Sequence, residues 1–352
     1  MISLPDFKPR KTPKLSQALL TERNSKSSLS EKITLDGFSR MLFALQGCTA
    51  RKWGTCLRSV PSAGATYPLE LHVAANEVEG IEPGLYKYVS DQPFKHLLKR
   101  ETGVHEAKAC FRVLVECVPS RTISVYGTRG YRYINEEVGH LLQNAYVVSA
   151  VLGLSFSLRV EPAKPGIVAE LDFRPAEGVS MPEPLRPDEK GAEKAIAERR
   201  SIRRYADRRI RRAEFEYLLT CICGDEARPF VGVGSRMVDV IVVVRDVEGF
   251  SPGVYIYERG RLERISGGDV SGSLAAAALG QHQIRAAQLN LVFAGDGWEC
   301  EVLAGVLGQN VYLAATALGL GTVAIGAFYD DEVVELLGLE ERPLYIFPVG
   351  SL

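Results

Sequence analysis

The octapeptide ERRSIRRY (198–205) sets three anion-gripping groups at alternate positions, Arg199, Ser201 and Arg203. On an extended backbone, residues two apart share one side. Two guanidinium forks and a hydroxyl would then converge, a donor set suited to a phosphate monoester. The basic run continues as ADRRIRRAEF (206–215), so a solvated basic face or a nucleic-acid patch is also consistent with it. A second segment, ALGLGTVAIGAF (317–328), fits G-x-G-x-x-A at Gly319, Gly321 and Ala324. A dinucleotide fingerprint needs a strand before that motif and a helix after it, whereas here NVYLAATALGL has a helical period and TVAIGAF is strand-like. The segment reads instead as a helix ended by glycine, delivering a bare extended backbone that a flat ligand can approach closely. A third segment, PSAGATYPLEL (61–71), is a turn entering a strand. Its small residues let backbone N–H groups and the hydroxyls of Ser62 and Thr66 reach a ligand.

The elements that must position these groups come as two copies. PSAGATYPLELHVAANEVEGIEPGLYKY (61–88) shares a skeleton of turn, strand, turn and strand with PFVGVGSRMVDVIVVVRDVEGFSPGVYIY (229–257), and GHLLQNAYVVSAVLGL (139–154) answers GVLGQNVYLAATALGLGT (305–322). A period of roughly 170 residues is too long for a solenoid and implies two fused domains, which pack as the homodimer they replace. The Pro- and Glu-rich stretch RPAEGVSMPEPLRPDEKG (174–191) serves as linker, giving domains at 1–175 and 192–352 with 176–191 between them. Each half reads as α+β: helices at 15–20, 35–45 and 136–152 with strands at 69–74, 84–88 and 112–117 in the first. In the second, helices fall at 189–200, 213–222 and 301–317, and strands at 238–245, 254–258, 288–294 and 345–349.

Composition sets the bounds. The 352 residues are 46% hydrophobic and 24% charged, with a net charge of −1, values of an ordinary globular protein with room for a large core. Near-neutral charge and the lack of an aromatic stacking platform argue against a nucleic-acid partner. No stretch approaches the length of a membrane span and the N-terminus has no apolar leader core, so a cytoplasmic location is expected. Seven scattered cysteines without a C-x-x-C suggest reduced thiols, with no disulfide frame and no zinc site. The five histidines, His72, His96, His105, His140 and His282, show no metal spacing.

In combination, RRSIRRY, PSAGATYPLEL, PGLYKY, YGTRGYRY with GHLLQN, and LGLGTVAIGAF resemble the nitroreductase superfamily of FMN-dependent oxidoreductases over nearly the whole chain. Its SagB-type dehydrogenases, which oxidise azoline rings in peptides, are the most similar branch. The resemblance implies an α+β fold of tandem nitroreductase-like domains packed as an intramolecular pseudo-dimer, with a substrate that is a small molecule or derived from a peptide. It implies FMN held at its phosphate by Arg199, Ser201 and Arg203, with Gly321 leading to Ile325, Gly326 and Ala327 beneath the isoalloxazine. Pro61, Ser62, Ala63 and Gly64 of the other copy would complete that site. The mirror site would use Arg23, Ser25 and Ser27, with Phe230 in place of the serine of the turn, and is decayed; one FMN per chain follows. Tyr126 is the candidate for substrate proton handling, because relatives carry a Lys-Tyr pair where this chain has Val125-Tyr126. The hydride donor is NADPH, NADH or an organic substrate, and a flavin-binding partner protein without turnover is the other reading. Further association of the pseudo-dimer is left open.

Overall fold

The computed structural model describes residues 1–21, 32–103, 109–176, 180–223, 238–258 and 260–352. The chain forms two compact units, one of 1–184 with 191–198, the other of 185–190 with 199–352.

The first unit opens with a short strand β1 (Ile2–Ser3) and helices α1 (Leu15–Leu19) and α2 (Leu35–Gln46). Thr34 starts α2 by accepting the Gly37 N–H at 3.1 Å, the usual side-chain satisfaction of an orphan first-turn donor. A hairpin, β2 (Cys48–Lys52) and β3 (Thr55–Arg58), precedes β4 (Leu69–Ala75), β5 (Gly84–Gln92), β6 (Lys95–Arg100) and β7 (Phe111–Cys117). Then come α3 (Ser120–Tyr126), α4 (Gly130–Leu152), β8 (Leu154–Val160), β9 (Gly166–Pro175) and α5 (Ala192–Glu198). The second unit holds α6 (Arg212–Cys223), β10 (Asp239–Val244), β11 (Gly253–Glu258), β12 (Arg261–Gly267), α7 (Ser271–Ala277) and α8 (His282–Ala286). It ends with β13 (Leu289–Ala294), α9 (Trp298–Leu318), β14 (Leu320–Thr322), α10 (Asp330–Leu337) and β15 (Pro343–Ser351).

Both main sheets are antiparallel and share one order. The first runs β1-β6-β5-β4-β7-β9-β8 and the second β12-β11-β10-β13-β15-β14. Strand for strand, β4 to β9 and β10 to β15 occupy equivalent places, and only β1 lacks a counterpart. The run Val240–Val244 is β-branched and buried along its length, as a central strand covered on both faces demands. It joins the core of the second unit, where Ile241, Val243, Leu274, Val292, Ile325, Phe328 and Ile346 pack together. The two long helices end alike, α4 at Gly153 (φ 64°) and α9 at Gly319 (φ 73°), a left-handed cap that glycine adopts without steric cost.

Four expectations need correction. The helix expected at 189–200 is only Ala192–Glu198 and belongs to the first unit, not to the second half of the sequence. It is tied there by Arg40 Nη1 donating to Glu193 Oε2 at 2.7 Å, by the Ala192 N–H on Pro13 O at 3.0 Å and by Ala197 against Phe7 and Phe43. Helix α4 begins at Gly130 rather than 136, because Arg132 and Tyr133 are buried despite their polar look. Cys48 and Cys56 form a disulfide across the β2–β3 hairpin; a hairpin whose residues are mostly polar carries no alternation to announce it. Finally, α9 is apolar enough by length and composition to cross a membrane, with a mean hydropathy of 1.2, but 78% of that window is buried inside the protein. It is a core helix, apolar all round because it is covered all round.

Candidate functional site

In the second unit the segment expected to grip phosphate is irregular and extended, and it is held by one tyrosine. Arg199 is buried, with its guanidinium carbon 5.0 Å from the Tyr312 ring centroid, a cation–π contact. The Ser201 hydroxyl is 2.8 Å from the Tyr312 hydroxyl, and the Ala324 N–H donates to that same oxygen at 2.8 Å. Tyr312, projecting from α9, therefore joins the grip segment to the extended stretch after β14, the two motifs the sequence marks separately. Nothing in the spacing singled it out, although the tyrosine recurs in both copies as QNAY and QNVY.

The rest of the segment is docked on the sheet edge. Ile202 N–H donates to Thr322 O and Ala206 N–H to Ser351 O, each at 2.8 Å. The Tyr205 ring lies over two paired glycines. A Cβ at Gly350 would come within 2.4 Å of the Tyr205 ring, and one at Gly321 within 3.0 Å of Ile202. Gly321 is thus a site of close approach, and the protein's own Leu352, Ile202 and Tyr205 fill the space. Burial raises the Tyr205 phenol above its ordinary value. Of the residues expected beneath a flat ligand, Ile325 turns its side chain into the core and bridges Ile346 through both backbone hydrogen bonds, at 2.9 and 3.0 Å. Gly326 and Ala327 are half-buried beyond it, with Ala327 O accepting from Gln281 Nε2 at 3.0 Å. Of the stretch read as strand-like, TVAIGAF (322–328), only Thr322 lies in a strand, the short β14 of Leu320–Thr322, and Ile325 makes an isolated bridge.

The basic run divides sharply. Arg208 and Arg211 both pair with Glu214, Arg209 with Asp246 and Arg212 with Glu216. Arg203 and Arg204 are exposed and, among the described residues, have no ion-pair partner. Arg208, Arg209, Arg211 and Arg212 are thus engaged by carboxylates, while Arg203 and Arg204 stand exposed beside Ser201.

In the first unit the turn at 61–64 and the segment carrying Tyr126 come together. Ser62 Oγ accepts the Tyr67 N–H at 3.0 Å, and the Ala65 N–H donates to Ser62 O at 3.1 Å. Gly64 adopts φ 57°, and a Cβ there would meet the Tyr126 hydroxyl at 2.6 Å. Glycine at this place thus serves both the backbone and the phenol. The Tyr126 ring stands edge-on to Tyr133 at 5.1 Å. Pro61 and Ala63 are half-buried and Gly64 is exposed. Thr66, expected to offer its hydroxyl to a ligand, spends it within the protein, on Ala63 O at 3.0 Å and Thr122 Oγ1 at 2.8 Å.

Behind the turn lies a buried polar cluster that the sequence does not reveal. Glu137 of α4 is 3% exposed, and burial pushes its carboxyl up to about 8, against the pull of the Ser62 hydrogen bond and the Arg58 charge. Arg58 Nη1 donates to Gln46 Oε1 at 2.7 Å, and its guanidinium lies 4.7 Å over the Tyr67 ring.

Sequence spacing also misses a histidine between carboxylates on the first sheet. His72 Nδ1 is 2.6 Å from Glu101 Oε2 and Nε2 is 2.9 Å from Glu116 Oε2, with Glu70 close by. Burial works against ionisation of Glu70, yet hydrogen bonds from Lys87 and Arg121 hold it down at about 2. With two cations already on Glu70, the cluster neutralises itself and makes a poor cation site. Arg23, Ser25, Ser27 and Phe230 lie outside the described residues.

Residues 196–351 match the nitroreductase family. The chain is 38% identical over 164 residues to the nitroreductase-like protein MJ1384 of Methanocaldococcus jannaschii, a match covering 44% of this chain and 80% of that one. It is 26% identical over 155 residues to the trifolitoxin-processing protein TfxB of Rhizobium leguminosarum bv. trifolii, covering 38% of this chain and 42% of TfxB. The crystal structure of a nitroreductase-like protein of Anabaena variabilis has the same fold along the whole chain, with a TM-score of 0.76, 23% identity and coverage of 97% and 95%. The fold and the extent of the MJ1384 match define an oxidoreductase family, and this chain belongs to it: it is a member of the nitroreductase family.

Proposed function

We propose that the chain is an FMN-dependent oxidoreductase with one FMN per 352 residues, used in common by its two halves. The observation that carries the reading is the pair of exposed cations Arg203 and Arg204 beside Ser201, without ion-pair partners among the described residues, followed by a stretch whose arginines, Arg208, Arg209, Arg211 and Arg212, are all engaged by carboxylates. The residues fit the cofactor. Arg203 and Ser201 would hold the phosphate, Arg199 would add charge from its seat on Tyr312, and the backbone of Ile325, Gly326 and Ala327 would lie under the ring. Pro61, Ser62, Ala63 and Gly64 would complete the site from the first half. Bound there, the flavin would supply hydride transfer at N5. The protein's part is to orient it, exclude water and hold donors where negative charge develops.

The matching strand orders support descent of the two halves from one duplicated domain, joined through 176–191. Fusion lifts the rule that both symmetry-related sites be kept. In sequence, the intact grip and Gly-rich stretch belong to the second copy and the intact turn to the first, so a single site combines them. The reductant would be NADPH or NADH and the compartment the cytoplasm. The likeness to a toxin-processing protein supports a substrate derived from a peptide, with Tyr126 handling its proton. Val125, 62% exposed where azoline-oxidising relatives carry lysine, favours a second reading in which the chain binds flavin as a partner in a biosynthetic complex.

Flavin absorbance after denaturation, set against protein concentration, is expected to show one FMN per chain, and anaerobic NADPH is expected to bleach it. Two flavins per chain would refute the single shared site. None after reconstitution with excess FMN would refute the flavoprotein reading, and flavin that no nicotinamide reduces would favour the partner protein.

A further inference from the structure

The hairpin of β2 and β3 belongs to neither main sheet, and the flavin reading makes no use of its tip. Lys52 pairs with Thr55, which leaves Trp53 and Gly54 as a two-residue turn. Both are left-handed, with φ 48° and 82°. A turn with two positive φ angles calls for asparagine or aspartate followed by glycine. Gly54 keeps that rule. Trp53 breaks it with the bulkiest side chain there is, and that side chain is 91% exposed. Tryptophan bears two costs here, a backbone conformation that side chains resist and a large apolar surface left in water. Asparagine would avoid both, so the indole is kept for something outside the fold.

Around the indole the hairpin is braced, convex and basic. The Cys48–Cys56 disulfide closes its base, and Arg51 Nε donates to Gly54 O at 3.2 Å across the turn. Apart from chain neighbours, no described atom would lie within 4 Å of a Cβ at Gly54, so the tip protrudes. Lys52 Nζ stands 4.3 Å from the centre of the indole ring. Arg51 and Lys52 are exposed and, among the described residues, have no ion-pair partner. From Cys48 to Leu69 the sequence holds no Asp or Glu. A protruding tip cannot enclose a small ligand, so whatever covers the indole must be a surface. It must be apolar where it meets the ring and anionic where it meets the two cations. A lipid headgroup layer has that order, with phosphates above an apolar boundary where tryptophan settles.

We propose that the tip of the β2–β3 hairpin is a docking point for an anionic lipid surface, with Trp53 seated at the headgroup boundary and Arg51 and Lys52 on lipid phosphates. The association is peripheral, through one indole and two cations, and is independent of the flavin reading. A bilayer needs no shaped pocket to receive a convex tip, which favours it over a protein partner. The disulfide brace matters because a hairpin held in shape loses less freedom when its tip is bound.

Trp53 and Trp298 are the two tryptophans of the chain, so Trp298→Phe leaves Trp53 as the reporter in the full, oxidised protein. Vesicles of phosphatidylcholine containing phosphatidylserine should shift its emission to shorter wavelength and shield it from acrylamide, and vesicles of phosphatidylcholine alone should do neither. Co-sedimentation of the unsubstituted chain with the same vesicles measures affinity without the reporter. A basic residue near an anionic surface contributes about fivefold. Arg51→Gln and Lys52→Gln should each weaken sedimentation by that factor, the pair by roughly 25-fold, and added salt should act in the same direction. Trp53→Asn suits the turn and removes the indole. It should bind vesicles more weakly while withstanding denaturant at least as well as the wild type, which separates a lost anchor from a lost fold. Wild-type protein that neither sediments nor shifts its emission at low salt would overturn the proposal in favour of a protein partner. Equal binding to both kinds of vesicle, or wild-type binding by Trp53→Asn, would overturn it as well. A drop in the stability of Trp53→Asn would show that the indole serves the fold itself.

Discussion

Arg203→Ala isolates the charge on which the phosphate assignment turns. Arg203 is exposed and without an ion-pair partner among the described residues, so its removal breaks no ion pair there and should change stability by no more than about 0.5 kcal/mol. Against FMN the same substitution removes a hydrogen bond between two charged groups, worth about 1.5–3 kcal/mol. At about 1.4 kcal/mol per tenfold, affinity should fall by roughly 10- to 150-fold. Arg204 remains beside the site and is also unpaired, which favours the lower part of that range. Riboflavin supplies the internal control, because it has the ring and ribityl chain without the phosphate, and its affinity should not move. Arg209→Ala supplies the control for the basic run: it loses only an exposed pair with Asp246, at 2.7 Å, and should bind FMN as the wild type does. Fluorescence titration gives both affinities, and denaturant unfolding without flavin checks the fold. Equal weakening toward FMN and riboflavin, or unchanged FMN affinity with the fold intact, would refute the assignment of the phosphate to Arg203.

Two further substitutions test the residues that join one motif to another. Tyr312→Phe leaves the Ala324 N–H without its acceptor and cuts the link to Ser201; stability should fall by about 1–3 kcal/mol, and FMN should be retained less well. Unchanged unfolding and affinity would show that Tyr312 is packing alone. Tyr126→Phe should leave flavin content intact and slow reoxidation by the true substrate by about 10²- to 10⁴-fold, and a change under about twofold would reduce Tyr126 to a spacer against Gly64.

What could be read from the sequence follows a physical division. The paired sheets were legible because a strand such as Val240–Val244 announces itself through β-branched residues, and the repeat doubles every such signal. The glycine-rich stretch was legible as a place of close approach, but a missing side chain does not say what fills the gap: at Gly350 the filler is Tyr205, and at Gly321 it is Leu352, Ile202 and Tyr205. Tyr312 and Glu137 carried no signature. Each sits on a long buried helix, and its chemistry comes from partners remote in sequence, Ser201 for the one and Ser62 and Arg58 for the other. The disulfide was hidden for a similar reason, since Cys48 and Cys56 meet only because a polar hairpin folds back on itself.

The basic run shows most clearly why composition stops short of chemistry. From 199 to 212 the sequence offers eight arginines of identical charge, and no spacing rule separates those that bind an anion from those that stabilise a loop. Glu214, Asp246 and Glu216 make the separation by pairing with Arg208, Arg209, Arg211 and Arg212, Glu214 taking two of them. A paired guanidinium has already committed its directional donors to a carboxylate, so it gains little by exchanging that carboxylate for a phosphate. One held in water beside a hydroxyl gains both charge and geometry from the same ligand. Whether an arginine is free to bind thus depends on the acids folded around it, and that is why the phosphate is assigned to Arg203 and not to the longer, more basic stretch that follows it.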